Sequence, residues 1–231
     1  MKKIDQIESL IAGKNAEEIL RTIASLPSER VVFSTSLSYE DQIITHYIFT
    51  NNLDIKVFTL DTGRLFPETY DVLSQTLSRY GRQIQVYAPA ADQVEQLVTA
   101  KGPFSFYESV EARQECCRIR KVEPLQRALR ESTIWVTGIR AGHSAGRHDV
   151  TRVEWDEKNQ VIKIHPLLDW SQDEVGEVIR ASKIPYNKLH DQGFVSIGCQ
   201  PCTRAIRPGE DFRAGRWWWE SSTSKECGLH R

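Results

Sequence analysis

A chain of 231 residues with 40% hydrophobic and 26% charged residues can bury a sizeable core and reads most simply as one domain with appendages. Its formal net charge of −1 gives no general electrostatic reason to bind nucleic acid or an anionic membrane. No run approaches the roughly eighteen apolar residues of a spanning helix, and no apolar leader precedes Met1-Lys2-Lys3-Ile4-Asp5, so a reducing, cytoplasmic setting is expected.

A helical arm is expected first, over residues 4–25. The β-branched or aromatic runs at 31–34, 55–60, 83–87 and 133–137 are of strand length. Between them, residues 40–50, 67–80 and 91–100 place apolar side chains at helical spacing, and Pro67 and Pro124 stand where a first helical turn tolerates proline. This alternation implies an α/β fold, an open and mostly parallel sheet with helices on both faces. Residues 151–155 and 161–165 read as a small hairpin near one edge. The tail after Pro208 combines glycine, serine and charge around Trp217-Trp218-Trp219 and is expected to be mobile until ligand or sheet captures it. The three tryptophans are read as anchors that dock it.

In an open parallel sheet the ligand crevice lies beyond the carboxyl ends of the strands, so the turns leaving the strands carry the chemistry. Ser34-Thr35-Ser36-Leu37-Ser38 bunches hydroxyls before a helix, where they could bond a phosphate; an ordinary helix cap by Ser36 or Ser38 explains them equally well. Asp61-Thr62-Gly63-Arg64 joins a carboxylate, a hydroxyl and a guanidinium around a glycine, which suits either a nucleotide contact or a capped turn. The third turn, residues 138–148, is long, glycine-rich and basic, and loops of that kind more often carry function than merely connect.

The five cysteines divide into Cys116-Cys117, Cys199-Gln-Pro-Cys202 and the solitary Cys227. Neighbouring cysteines lie too close along the chain to bridge each other, whereas disulfides between the two pairs remain geometrically open. A zinc site is a further possibility, but its ligands are usually spaced by two to four residues. A four-iron cluster spreads its thiolates over separate irons and accepts consecutive cysteines more readily. Arg118, Arg120 and Lys121 follow the first pair, and Arg204, Arg207, Arg213 and Arg216 the second. Solvated charge is the ordinary explanation of such runs, but here Lys121 would offset an anionic cluster and the arginines could hold sulfate or phosphate oxygens. Cys227, on a glycine-serine tail with Lys225 and His230 nearby in sequence, is placed for reactivity. Together these features suggest a small, multiply charged nucleotide substrate.

The motifs Cys116-Cys117-Arg118-Ile119-Arg120-Lys121, Leu60-Asp61-Thr62-Gly63-Arg64, Cys199-Gln200-Pro201-Cys202, Gly215-Arg216-Trp217-Trp218-Trp219-Glu220 and Lys225-Glu226-Cys227-Gly228-Leu229-His230 resemble, in kind and order, those of the assimilatory adenylylsulfate and phosphoadenylylsulfate reductases. The resemblance implies an adenine-nucleotide alpha-hydrolase-like fold with a phosphate loop after the first strand. It implies that Cys227 is the nucleophile, forming a cysteine S-sulfonate that thioredoxin or glutaredoxin resolves to sulfite, and that Cys116, Cys117, Cys199 and Cys202 hold a 4Fe–4S cluster. Lys121 then lies between cluster and substrate, and Arg147, Arg213 and Arg216 bind the phosphosulfate. Ser34, Ser36, Ser38, Asp61, Thr62, Gly63, Arg64 and His230 complete the expected substrate contacts. The cluster-bearing branch implies adenylylsulfate as substrate, with its 3′-phosphorylated form as the alternative, and a homo-oligomer without nucleic-acid or membrane partners. Residues 1–207 would form the nucleotide- and cluster-binding domain and 208–231 the tail carrying the nucleophile. A tRNA-thiolating enzyme of the same fold would instead require a Ser-Gly-Gly-x-Asp-Ser loop and a basic face, and a cluster-based redox sensor would leave the nucleotide turns without a purpose. One departure stands out: Ser36-Leu37-Ser38 lacks the glycine this family commonly carries there.

Overall fold

The computed structural model describes residues 2–143 and 150–220. Burial on alternate faces organises the sheet. In β1 (Val31–Thr35), Val31 and Phe33 enter one apolar core and Val32 enters another; in β4 (Ile134–Val136), Ile134 and Val136 face the first core and Trp135 the second. Strands buried on both faces need helices on both. α1 (Lys2–Ile11), α2 (Ala16–Ala24), α3 (Tyr39–Thr50) and α8 (Gln172–Ala181) supply side chains to the first core, and α7 (Glu123–Leu129) to the second.

Among the described residues a six-stranded sheet runs in the order β3-β2-β1-β4-β6-β5, completed by β2 (Lys56–Leu60), β3 (Gln85–Tyr87), β5 (Val153–Asp156) and β6 (Val161–Ile164). Every pairing is parallel except β5 with β6. The expected hairpin is therefore built into the sheet: β6 lies parallel to β4, and only β5 is an antiparallel edge. Register sets Trp135 beside Val32 on one side and beside Lys163 on the other.

Several boundaries differ from those the sequence suggests, for identifiable reasons. The amino-terminal arm is two helices, because Gly13 takes φ +73 and Asn15 begins α2 with a capping box to Glu18. The third strand shortens to Gln85–Tyr87 at an exposed edge. α4 (Pro67–Tyr80) opens on its proline as expected and ends on Gly81 in the left-handed conformation, while α5 (Ala91–Lys101) runs one residue longer than expected. Pro124 stands in the first turn of α7, as expected, but α7 is not a separate helix. α6 (Val110–Cys117) passes through a π-turn, Arg118–Val122, directly into α7, and Pro124 falls where the widened turn hands over to α-helix. No described helix is long and apolar enough to cross a membrane.

The strand order reverses between β1 and β4, so the crevice beyond their carboxyl ends is the natural ligand site. Gly138, just past β4, lies against the start of α3 so closely that a Cβ there would overlap the Asp41 carboxylate and crowd Glu40 Cβ. Glu40 in turn accepts a hydrogen bond from Arg140 Nε at 3.0 Å, a buried pair that ties this turn to α3. Gly138→Ala is expected to cost about 2 kcal/mol by overpacking, lowering the midpoint of thermal unfolding by about 4–8 °C; an unchanged midpoint would show that the Asp41 side chain moves aside freely.

Candidate active site

At the switch point lies a cavity of about 240 Å³ lined from three strand exits: Ser34, Thr35, Ser36 and Ser38 at the end of β1, Thr59, Leu60 and Thr62 at β2, and Thr137, Gly138 and Ile139 after β4. Ser38 occupies the N-cap position of α3 without capping it through its side chain. Instead Ser36 Oγ donates to Asp41 Oδ2 at 2.5 Å and lies 3.0 Å from Ser38 Oγ, and the Ser36 N–H donates to the same carboxylate at 2.6 Å. The ordinary capping explanation thus does not account for these serines, and the amino end of α3 faces the cavity, an arrangement suited to an anion. Leu37 adopts φ +62, the left-handed region that glycine would occupy without strain, yet its side chain is only 1% exposed. Burying a leucine gains about 1.5–3 kcal/mol, which matches or exceeds the roughly 1–2 kcal/mol cost of that backbone conformation.

Across the cavity stand Lys121, Arg213 and Arg216, the cations expected from the sequence. Arg216 is buried, its guanidinium donating to the Ile197 carbonyl at 3.1 Å and lying over the Trp217 ring at 4.9 Å. Arg213 stacks on the same ring from 5.7 Å. The chain around them is docked: Thr203 and Arg216 form an antiparallel bridge, the Trp217 N–H donates to the Cys202 carbonyl at 3.0 Å, and Arg113 grips Glu220 through two bonds of 2.9 and 2.8 Å with both side chains buried. The segment expected to be mobile from Pro208 onward is thus packed in place through Glu220. Trp217 is its buried anchor, whereas Trp218 is 49% exposed.

Behind Trp217 lies a second, smaller cavity, lined by Cys116, Cys117, Cys199 and Cys202 together with Arg64, Arg113, Arg120 and Lys121. All four thiols are buried and none is in a disulfide. Lys121 and Trp217 line both cavities. Burial pushes the Cys199 thiol up, but the Lys121 ammonium, the Thr62 hydroxyl 3.3 Å away and Arg216 outweigh it and hold the group below its ordinary value. Cys202 is pushed up to about 12, by burial first and then by the neighbouring Cys199. Burial also raises Cys116, which Arg120 partly offsets. Among the described residues no three His, Cys, Asp or Glu side chains form a group that could hold a single metal ion.

Comparison with known proteins gives the arrangement a lineage. Residues 30–205 match the model of the phosphoadenosine phosphosulfate reductase domain. The chain is 52% identical over 203 residues to the adenosine 5'-phosphosulfate reductase of Allochromatium vinosum, covering 88% of this chain and 79% of that protein. It is 45% identical over 224 residues to the enzyme of the same name from Agrobacterium fabrum, covering 97% and 86%. The chain belongs to the phosphoadenosine phosphosulfate reductase family. In fold it is similar to the crystal structure of phosphoadenylyl-sulfate reductase from Candida auris, with TM-score 0.74, 24% identity and coverage of 89% and 97%. Yeast FAD synthetase shares the architecture more distantly, with TM-score 0.56, 16% identity and coverage of 88% and 67%.

Within this reductase family frame, the expected site residues fall into three groups. Ser34, Ser36, Ser38, Thr62, Lys121, Arg213 and Arg216 line the larger cavity. Asp61, Gly63 and Arg64 do not. Asp61 Oδ1 accepts from the Gly63 N–H at 2.8 Å and the Tyr70 hydroxyl at 2.9 Å, shaping the turn, and Arg64 turns to the thiol cavity, where it lies 4.9 Å from the Phe106 ring centre. Arg147, Cys227 and His230 lie outside the described residues. Sequence reasoning gave no role to Arg113, Trp135 or Thr137. The spacing of Arg113 four residues before Cys117 on a helix was a usable signal; the other two emerge only once the strands are in register.

Asp41 offers a direct test of the loop. Burial lifts its carboxyl to about 7, against hydrogen bonds from the Ser36 side chain and backbone and with help from the Glu40 charge. Between the ordinary aspartate value of 3.8 and about 7 the native state keeps a proton the unfolded chain has lost, so this group's contribution to stability falls as pH rises through that window and levels off above it. Thermal unfolding of wild type and Asp41→Asn from about pH 5 to about pH 8 should show wild type losing stability relative to the variant as pH rises. The opposite trend would mean that the Ser36 bonds stabilise the ion more than burial destabilises it.

Proposed function

We propose that this protein reduces adenylylsulfate to sulfite and AMP in sulfate assimilation, using Cys227 as nucleophile. The observation that carries the reading is the shared wall: one buried lysine, Lys121, borders both the cavity with anion-binding character and the cavity of four thiols. The names of the relatives at 45–52% identity favour adenylylsulfate over the 3′-phosphorylated nucleotide.

The four thiols are a fitting donor set for a 4Fe–4S cluster. They are buried, unbridged, face one cavity and are surrounded by Arg64, Arg113, Arg120 and Lys121, cations that offset the charge of thiolate ligands. A tetrahedral zinc usually takes ligands spaced by two to four residues, which the adjacent Cys116 and Cys117 match poorly. When bound, the cluster would supply structural closure and a fixed electrostatic field, the electrons coming from thiol exchange with a partner.

Sulfuryl sulfur is shielded by anionic oxygens, so a thiolate approaches only where those charges are neutralised and the leaving phosphate is held in line. Lys121, Arg213 and Arg216 supply the positive charge, and the hydroxyls and amide groups at the start of α3 hold the nucleotide. The Cys227 thiolate attacks the sulfur, forming an S–S bond as the bond from sulfur to the phosphate oxygen breaks and AMP departs. A thioredoxin- or glutaredoxin-type dithiol then attacks the Cys227 sulfur, releasing sulfite and forming a mixed disulfide. Its second thiol breaks that disulfide, restoring Cys227 and leaving the partner oxidised. Such thiol exchange suits the reducing cytoplasm.

Cys227→Ser should abolish sulfite release while retaining iron and the brown chromophore, and Cys202→Ala should lose the iron. Turnover retained by both variants would refute the division of labour among the thiols. Mixing wild type with adenylylsulfate in the absence of reductant should leave a sulfonate on the terminal peptide, visible by mass spectrometry; an unmodified peptide in a preparation that then forms sulfite would exclude the covalent intermediate.

A further inference from the structure

The second apolar face of the sheet carries a polar alignment that ends in the nucleotide cavity. Trp135 is 1% exposed, and its indole Nε1–H donates to Ser34 Oγ at 2.8 Å. Strand register produces the contact: Trp135 is paired with Val32, and Ser34 lies two residues further along the same face of β1. On the other side Trp135 is paired with Lys163, whose ammonium stands 5.3 Å from the ring centre. Lys163 is buried and held by Asp156 at 2.8 Å and Glu154 at 3.4 Å, both from β5. A cation over the ring face draws electron density from the indole and strengthens its N–H as a donor.

An indole N–H can only donate, so Ser34 Oγ must accept, and its own single proton has to go elsewhere. Among the described residues no group accepts it, and Ser34 lines the cavity. We propose that Trp135, backed by Lys163, is a positioning residue that fixes the Ser34 hydroxyl as a hydrogen-bond donor to an acceptor atom of the bound nucleotide. This rests on the nucleotide reading of the cavity. It gives the β5–β6 pair a task beyond closing the sheet edge, because the carboxylates that anchor Lys163 come from β5.

The ordinary alternative is that Trp135 only fills the core, as its place in the apolar cluster with Val32, Leu125 and Val161 would suffice to explain. A double-mutant cycle on AMP affinity, read by isothermal titration calorimetry, separates the two. Ser34→Ala should weaken AMP binding about fivefold, the scale of one net hydrogen bond, and Trp135→Phe, which keeps the ring but loses the N–H, about threefold. In the Ser34→Ala background Trp135→Phe should cause no further loss. An equal loss in both backgrounds, or unchanged affinity in Ser34→Ala, would overturn the proposal. Should Trp135→Phe not fold, protein labelled with ¹⁵N at its indole nitrogens decides the matter. Ser34→Ala and AMP must then perturb the same slowly exchanging indole N–H, and perturbation of different ones overturns the proposal. Wild type that failed to bind AMP would overturn the nucleotide reading itself, whereas intact binding indifferent to Ser34 would overturn this inference alone.

Discussion

A buried ammonium is tolerable only among negative charge or strong acceptors, and Lys121 is 9% exposed. That requirement organises the surrounding structure. The fold places the four thiols in the cavity on one side of Lys121 and the hydroxyl-bearing strand exits in the cavity on the other. The same continuous helix carries both partners: Arg120 and Lys121 follow Cys116 and Cys117 by four residues each, the spacing that keeps side chains on one helix face, and the π-turn Arg118–Val122 carries the two cations. The pair of cysteines and the two cations that follow line one cavity.

The thiol cavity is closed by residues from distant parts of the sequence. Arg113, ahead of the first cysteine pair, holds Glu220, beyond the second, in a fully enclosed ion pair, and the Arg113 and Arg216 guanidinium groups both lie against the Trp217 ring. Removing one member of such a pair would strand a charge in an apolar setting, so these contacts specify position more than they add net stability. The consequence is that the chain leaves the described region at Glu220 from a defined place beside the cysteines.

Much of the fold could be read in the sequence because its strands are short, apolar and separated by helical periodicity, as at Val31–Thr35, Lys56–Leu60 and Pro67–Tyr80. The cysteine pairs announced their own meeting, since consecutive and closely spaced thiols in a reducing setting have few structural uses. What remained hidden depended on register. Nothing in the local sequence shows that Trp135 neighbours Lys163 or that Arg140 reaches Glu40, because such contacts follow from which strands and loops lie side by side. Arg64 was misleading for a related reason: its motif placed it with the nucleotide turn, but the tight turn at Gly63 sends its side chain the other way, toward Phe106. The unity of the amino-terminal arm failed on a single glycine, whose left-handed conformation outweighs the helical pattern on either side.

Leu37 changes how the turn after β1 would meet a ligand. A glycine at a left-handed position samples many backbone states when its site is empty, and ordering them costs free energy each time something binds. Here an aliphatic side chain, sunk into the protein and indifferent to what occupies the cavity, keeps the backbone in its curved form throughout. The receptor is therefore assembled during folding, and the entropic cost of shaping it is met once in the life of the molecule instead of once per catalytic cycle.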